Sequence, residues 1–100
     1  MEETRKNEFK SHTGFEVIGW EYNGKMLWSL GGSPKPEYRF REYTCAYDVE
    51  EMLLEKIGKV NGMSTDSEYC MLCIYFKDKR SALAYLQKIE KYLDKMKTMA

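Results

Sequence analysis

The dipeptide Asn23-Gly24 constrains this chain more than any other feature of its sequence. It separates two runs of strand composition, residues 15–22 and 25–30. Asn-Gly between two such runs is typical of a two-residue β-hairpin turn, because both central residues of a type I′ turn need a positive φ. A two-residue turn also determines the pairing register of its strands. The predicted cross-strand pairs are Val17 with Leu30, Gly19 with Trp28, and Glu21 with Met26.

This hairpin predicts a sheet with apolar side chains on both faces. On one face, we expect the indole of Trp28 to cover the bare backbone of Gly19, since aromatic side chains commonly cover glycines in sheets. The other face carries a second apolar set, namely Ile18, Trp20, Tyr22 and Leu27. Two interpretations follow: either both faces are covered by other elements, or one of them is an aromatic binding surface.

After the hairpin, the pattern predicts a loop, a strand and a helix. Residues 31–36 contain two glycines and two prolines and are typical of a loop. Residues 38–47 alternate aromatic and basic side chains at their start, which predicts a third strand with one solvated face. Asp48 is expected to cap a helix whose apolar spacing extends to Val60, before the stop signal Asn61-Gly62.

The C-terminal part of the chain predicts one more strand and one more helix. Residues 69–76 are apolar on both faces, as is typical of a central strand, and Asp78 is expected to cap a helix that continues to about Lys97. A strand, a helix and a strand in succession favour a right-handed crossover between parallel neighbours. The predicted fold class is therefore α+β, with a four-stranded mixed sheet in the order ββ-β-α-β-α and two helices mainly on one face.

Domain organisation and compartment follow from composition. Residues 1–13 are predicted to be a polar N-terminal segment, for which disorder is one expectation, and residues 14–100 are predicted to be a single α+β domain. The segment 1–13 lacks the apolar stretch of about 7–15 residues that a signal peptide needs. An odd number of cysteines favours a reducing compartment, so we expect a cytoplasmic protein that does not contact a membrane.

The cysteines and the single histidine are the candidates for metal or nucleophilic chemistry. Together, Cys45, Cys70, Cys73 and His12 match the inventory of a Cys₃His zinc site. However, Cys70 and Cys73 fall in a predicted strand, where residues three apart point to opposite faces. We therefore expect core cysteines and a solvated His12. The sequence predicts no metal, no cofactor and no catalytic residue, and hence a protein that is not an enzyme.

Aromatic and basic side chains indicate recognition instead. The predicted protein-binding residues are Trp20, Tyr22, Arg39, Arg41, Tyr43 and Tyr47, because Trp, Tyr and Arg dominate interface hot spots. The predicted electrostatic docking residues are Lys88, Lys91 and Lys95, which share one face of the last helix. Purely structural roles remain the alternative: core packing for the aromatic residues, a solvated strand face for the arginines, and the helix dipole for the lysines.

The charge distribution narrows the class of function. Sixteen basic residues balance sixteen acidic ones, which argues against a uniformly basic nucleic-acid coat protein. Residues 48–68 hold six acids against two lysines, and residues 77–97 hold seven bases against three acids. This separation of charge leaves room for a polarised surface that could orient a partner. We expect a non-catalytic protein-binding module, such as a small inhibitor or adaptor of the kind made by phages and mobile elements, which docks onto a larger protein or nucleoprotein assembly.

Two other functions remain open at this stage. The first alternative is a nucleic-acid-binding protein that uses Arg39, Arg41 and the C-terminal lysine face. The second is a small-ligand-binding protein or an enzyme with a pocket between the sheet and the helices.

Overall fold

A computed structural model describes the backbone of residues 4–99 and the side chains of residues 7–99. The elements along the chain are β1 (Thr4–Lys10), β2 (Phe15–Tyr22), β3 (Lys25–Gly32), a 3₁₀ helix (Pro36–Tyr38), α1 (Ala46–Lys56), β4 (Ser64–Thr65), β5 (Ile74–Phe76) and α2 (Lys79–Met99). The molecule is a small α+β domain with two helices, as predicted. Neither helix is both long enough and apolar enough to cross a membrane within the part of the chain that the structure describes.

The sheet has five strands in the order β1-β2-β3-β5-β4, and every neighbouring pair is antiparallel. It therefore differs from the predicted four-stranded mixed sheet by one strand and by the direction of pairing. The predicted crossover was wrong because its first strand does not form. Residues 36–38 make the 3₁₀ helix instead, and the segment 39–45 that follows is irregular. Tyr38 is buried from this turn, so its apolar side chain reaches the core without a strand.

The β2–β3 hairpin confirms the predicted register. Val17 lies opposite Leu30 and Gly19 lies opposite Trp28. Asn23 has a φ of 51° and Gly24 a φ of 78°, as a type I′ turn requires. A Cβ atom on Gly19 would lie only 2.6 Å from the indole ring, so the close approach of this ring requires a glycine.

The N-terminal strand β1 pairs with β2 along the outer edge of the sheet. It lies within the segment 1–13 that composition sets apart as polar. Its one large apolar side chain, Phe9, faces the helices and lies 6.4 Å from the ring of Trp28. The remaining described side chains of this strand are exposed, which explains why an edge strand with a single core contact gives almost no periodic signal.

The predicted strand over residues 69–76 forms only in its last three residues, β5. Only β5 pairs with β3, whereas Glu68 and Met71 form an isolated bridge in which each backbone N–H donates to the other residue's carbonyl. The chain thus reverses at Tyr69 and Cys70. As a result, residues 64–76 form an irregular hairpin, and its two turn residues leave the sheet.

Both helices contribute to one core on one face of the sheet. The apolar face of α1 supplies Val49, Met52 and Leu53, and α2 supplies Ala82, Tyr85, Leu86, Ile89 and Leu93. These residues form one cluster with sheet residues that include Phe15, Val17, Leu30, Ile74 and Phe76. The prediction that both helices lie mainly on one face is therefore confirmed.

The helix ends differ in part from the prediction. Asp48 lies in the first turn of α1, and its carboxylate accepts hydrogen bonds from the backbone N–H and hydroxyl of Thr44. The helix ends at Lys56, before Gly58, whose φ of 95° and N–H bond to the Leu53 carbonyl close a C-terminal cap. Asp78 caps α2 as predicted, since its carboxylate accepts the Ser81 N–H at 2.7 Å.

Candidate functional site

A cleft of about 410 Å³ opens where the C-terminal end of β3 meets the start of α1. One wall is the irregular segment that follows β3, and the other is the turn that precedes β5. The residues that line it are Gly32, Ser33, Pro34, Arg39, Tyr43, Thr44, Cys45, Ala46, Val49, Tyr69, Cys70, Met71 and Leu72. Its volume is in the range of pockets that bind compact ligands or side chains, about 300–1,000 Å³.

The first wall is shaped by Arg39. Its Nε donates to the carbonyl of Pro34 at 2.9 Å, which holds the guanidinium beside the buried proline. No Asp, Glu, Lys or second Arg is found among the described residues that line the cleft. The cleft therefore combines a mixed polar and apolar lining with one positive charge.

A single backbone hydrogen bond joins the two walls. The N–H of Ala46, at the start of α1, donates to the carbonyl of Tyr69 at 2.8 Å. This bond uses one of the N–H groups that a helix N-terminus leaves without an intrahelical partner. It also fixes the turn 68–71 against the helix, although the two segments are far apart in the sequence.

Three large apolar side chains in and beside this region are exposed. Tyr69 and Met71, in the second wall, are each 61 % exposed, and Tyr47, in the first turn of α1, is 49 % exposed. In contrast, Leu72 is only 5 % exposed and belongs to the core. The apolar run of residues 69–76 thus has an exposed part, which lies in the turn 68–71, and a largely buried part, which begins at Leu72.

Arg41 and Tyr43 do not present a free cationic surface. The Arg41 guanidinium lies 5.6 Å from the centre of the Tyr43 ring and 3.5 Å from the carboxylate of Glu55. Burial raises the pKa of the Tyr43 phenol, and the charge of Arg41 opposes that rise. Because Tyr43 also packs against the core, this pair connects the irregular segment to α1, and Tyr43 alone of the two lines the cleft.

The predicted residues Trp20 and Tyr22 lie on the sheet face that the helices leave uncovered. The Trp20 indole N–H donates to the hydroxyl of Ser29 at 3.0 Å, and Ile18 beside it is only 6 % exposed. Trp20 pairs with Leu27, which lies five residues before the cleft residue Gly32 on β3. Five residues correspond to about 17 Å along a strand. The structure therefore does not bring Trp20 and Tyr22 together with the cleft residues Arg39 and Tyr43.

The predicted docking residues Lys88, Lys91 and Lys95 are all exposed on α2. Among the residues with described side chains, no carboxylate lies within ion-pair distance of any of the three. They remain a separate basic stripe rather than a part of the cleft.

The cysteine prediction was wrong in part. Cys70 is exposed, whereas Cys45 and Cys73 are half-buried. Cys70 lies at the tip of a turn and not within a strand, which removes the reason to expect burial. Within residues 4–99, no group of three or more His, Cys, Asp or Glu side chains is placed to hold a metal ion.

His12 is more than a solvated side chain. Its Nε2 lies 3.0 Å from an Asp94 carboxylate oxygen, and its ring contacts the Tyr38 ring edge-on at 5.9 Å. The hydrogen bond from His12 is the main reason that the pKa of Asp94 is below its usual value. This contact connects the β1–β2 turn to α2.

The sequence did not reveal Tyr69, Met71 and Cys70 as surface residues. A signal was weak but present, since the polar residues Asp66, Ser67 and Glu68 precede them directly.

No protein-family model, curated protein or solved structure matches this chain. These comparisons therefore give no information on its function.

Proposed function

We propose that this chain is a non-catalytic protein-binding module that accepts a short segment of a partner protein in the cleft. The observation that carries the proposal is the exposure of Tyr69 and Met71, at 61 % each, in the wall of a cleft. Large apolar side chains exposed together around a concavity are typical of interaction sites. Binding there would remove both side chains from water, which is the main favourable term in protein association.

The charge of the cleft specifies the chemistry of the partner segment. Arg39 is the one charged residue among those that line the cleft, and its Nε is already used by the Pro34 carbonyl. The outer edge of the guanidinium fork is left for a second, bidentate contact, for which a carboxylate has the matching geometry. We therefore propose a segment with one or two large apolar side chains beside an Asp, a Glu or a C-terminal carboxylate.

A module of this kind fits both an inhibitor and an adaptor. Either would bind its partner without chemical change, and a docking surface is all that each requires. The three cysteines, none of which is in a disulfide, support the proposal that the protein works in a reducing compartment such as the cytoplasm.

A displayed library of short random peptides tests the proposal. We expect selection on the full chain to enrich peptides that combine apolar and acidic residues. The Arg39→Gln and Met71→Ser variants should each weaken the binding of a selected synthetic peptide by about tenfold, equivalent to about 1.4 kcal/mol. Met99→Ser is the matched control, because Met99 is 70 % exposed and lies outside the cleft; it should bind as tightly as the wild type.

The same experiment distinguishes the nucleic-acid alternative. Lys88, Lys91 and Lys95 are exposed and suit phosphate contacts, whose affinity falls steeply with salt concentration. Peptide selection without enrichment, together with salt-dependent binding of a single-stranded oligonucleotide that a Lys88→Gln, Lys91→Gln, Lys95→Gln variant loses, would replace our proposal by that alternative. Peptides that bind both cleft variants as tightly as the wild type would also contradict it.

A further inference from the structure

Two cysteines flank the hydrogen bond that joins the walls of the cleft. Cys45 precedes Ala46, whose N–H is the donor, and Cys70 follows Tyr69, whose carbonyl is the acceptor. With standard peptide dimensions, the Cα atom of Cys45 lies about 2.4 Å from the N atom of Ala46. The Cα atom of Cys70 likewise lies about 2.8 Å from the carbonyl oxygen of Tyr69. With a donor–acceptor distance of 2.8 Å, the Cα atoms of Cys45 and Cys70 are then about 4–7 Å apart, whatever the rotation about the bond.

This separation is the one that a disulfide needs. Bridged cysteines usually have their Cα atoms about 4.4–6.8 Å apart. Both Cys45 and Cys70 also line the same cleft. The pair is therefore defined by two independent observations, a backbone hydrogen bond between adjacent residues and a common cavity.

Cys70 is the exposed member of this pair, and the third cysteine is held elsewhere. Cys45 is half-buried, as Cys73 is. Cys73 does not line the cleft; its N–H is bound by the Ser67 hydroxyl and its carbonyl accepts from the Asp66 N–H, on the strand side of the turn. A Cys70–Cys73 bridge would have to bend the chain between them, whereas a Cys45–Cys70 bridge follows a contact that already exists.

We propose that Cys45 and Cys70 form a reversible disulfide across the cleft when a low-molecular-weight disulfide such as glutathione disulfide is present. The exposed Cys70 loses its proton and attacks one sulfur of glutathione disulfide, which yields a mixed disulfide and one glutathione thiolate that takes up a proton. Cys45 then loses its proton and attacks the Cys70 sulfur, and the second glutathione leaves in the same way. The protein loses two protons and two electrons, and one glutathione disulfide takes up both and becomes two glutathione molecules.

The bridge would add a covalent link between the start of α1 and the turn 68–71. These segments are held together across the cleft by the Ala46–Tyr69 hydrogen bond. The disulfide would close the loop 46–69 and fix the distance between the walls, so that the redox state would control the width of the cleft. This inference goes beyond the proposed binding function, and its test does not depend on that function.

The test is thiol counting and disulfide mapping on the full chain in glutathione redox buffers. After oxidation and alkylation, we expect one alkylated thiol per wild-type monomer instead of three, a mass lower by two hydrogen atoms before alkylation, and a higher thermal midpoint. The Cys73→Ser variant is the matched control and should form the same bridge with the same rise in midpoint. Cys45→Ser should stop at a Cys70–glutathione adduct and show no rise.

Three results would overturn the proposal. The first is a chain that keeps all three thiols, or carries only glutathione adducts, under conditions that oxidise glutathione fully. The second is a disulfide that includes Cys73, which the Cys73→Ser variant would abolish. The third is a Cys70–Cys70 bridge between two molecules, which would appear as a covalent dimer on a non-reducing gel.

Discussion

Gly19 shows how the absence of one Cβ atom determines the packing of this sheet. The nearest atom of the Trp28 ring is only 2.6 Å from the position that this Cβ would take, and Trp28 itself is only 9 % exposed. Gly19→Ala must displace a ring that Phe9 and the Lys79 ammonium also contact. We expect the free energy of unfolding to fall by about 1–3 kcal/mol, as for other substitutions that overpack a core. Urea denaturation at neutral pH measures this loss.

The control for Gly19→Ala lies on the neighbouring strand. Gly31 has no positive φ, and the nearest atom to its added Cβ would be the Leu72 carbonyl oxygen at an ordinary 3.5 Å. Gly31→Ala should therefore leave stability nearly unchanged or raise it slightly, because alanine reduces the entropy of the unfolded chain. Equal losses in the two variants would show that close contact with Trp28 is not the cause.

Asp94 makes the stability of the folded protein depend on pH in the acid range. The hydrogen bond from His12, followed by that from Tyr38, lowers the pKa of this carboxyl below its usual 3.8 in the folded state. A carboxyl with a lowered folded pKa contributes stability above its unfolded pKa, and this contribution is lost as the pH falls through the folded value. We expect the thermal midpoint of the wild type to drop more steeply below pH 4 than that of Asp94→Asn. Parallel midpoint-versus-pH curves for the two proteins would contradict this assignment.

At the scale of elements, Tyr85 connects the two helices. It lies on α2, and its hydroxyl donates to the Gly58 carbonyl at 2.8 Å beyond the end of α1. The side chain is 1 % exposed, so Tyr85→Phe would leave that carbonyl without its phenol partner while the ring still packs against Phe76. The free energy of unfolding should fall by about 1–3 kcal/mol, the cost of an unsatisfied buried polar group. Tyr22→Phe, on the exposed sheet face, is the control and should cost almost nothing.

Tyr85 also makes the stability of the folded protein depend on pH in the alkaline range. Burial raises the pKa of Tyr85 from its usual 10.0 to about 12. A raised folded pKa stabilises the fold below the unfolded value, and this stabilisation is lost as the pH rises from 10 towards 12. The wild type should thus lose stability over that interval, whereas Tyr85→Phe should lose less. If both decline equally, the Tyr85 phenol does not titrate in this way.

The elements that the sequence predicted well are those with local signals. Asn23-Gly24 predicted the β2–β3 hairpin and its register because a two-residue turn leaves one pairing. The apolar spacing of α2 placed Ala82, Leu86, Ile89 and Leu93 in the core, where the structure has them. In both cases the information lies within a few residues of the element itself.

The elements that the sequence missed depend on distant contacts. The predicted strand 38–47 does not form, because Tyr38 reaches the core from a 3₁₀ helix instead. Alternating apolar and polar residues do not distinguish these two ways of burying one aromatic side chain. The strand β1 has only Phe9 to mark it. The cleft itself depends on the Ala46–Tyr69 hydrogen bond between distant segments, and no pattern within either segment encodes that contact.

For the whole molecule, three regions of the described surface differ in chemistry. The uncovered sheet face carries Trp20 and Tyr22, the outer face of α2 carries the lysine stripe, and the end of the sheet carries the cleft. Of these, the cleft alone combines concavity, exposed apolar side chains and a charge held in position. The sequence-predicted binding residues fall in different regions, which is why the residue types alone did not define one site.

If the cleft is a recognition site, its exposed side chains should contribute to binding and not to folding. We expect the double variant Tyr69→Ser, Met71→Ser to unfold with a free energy within about 0.5 kcal/mol of the wild type, because exposed side chains away from buried contacts rarely affect stability. Leu72→Ala, one residue further on, should lose about 2–5 kcal/mol, since Leu72 is buried in the core. Chemical denaturation of both proteins, with peptide binding measured on the double variant, separates the two roles. A double variant as destabilised as Leu72→Ala would mean that the turn 68–71 is part of the folding core, and the exposure of its side chains would then no longer favour a binding function.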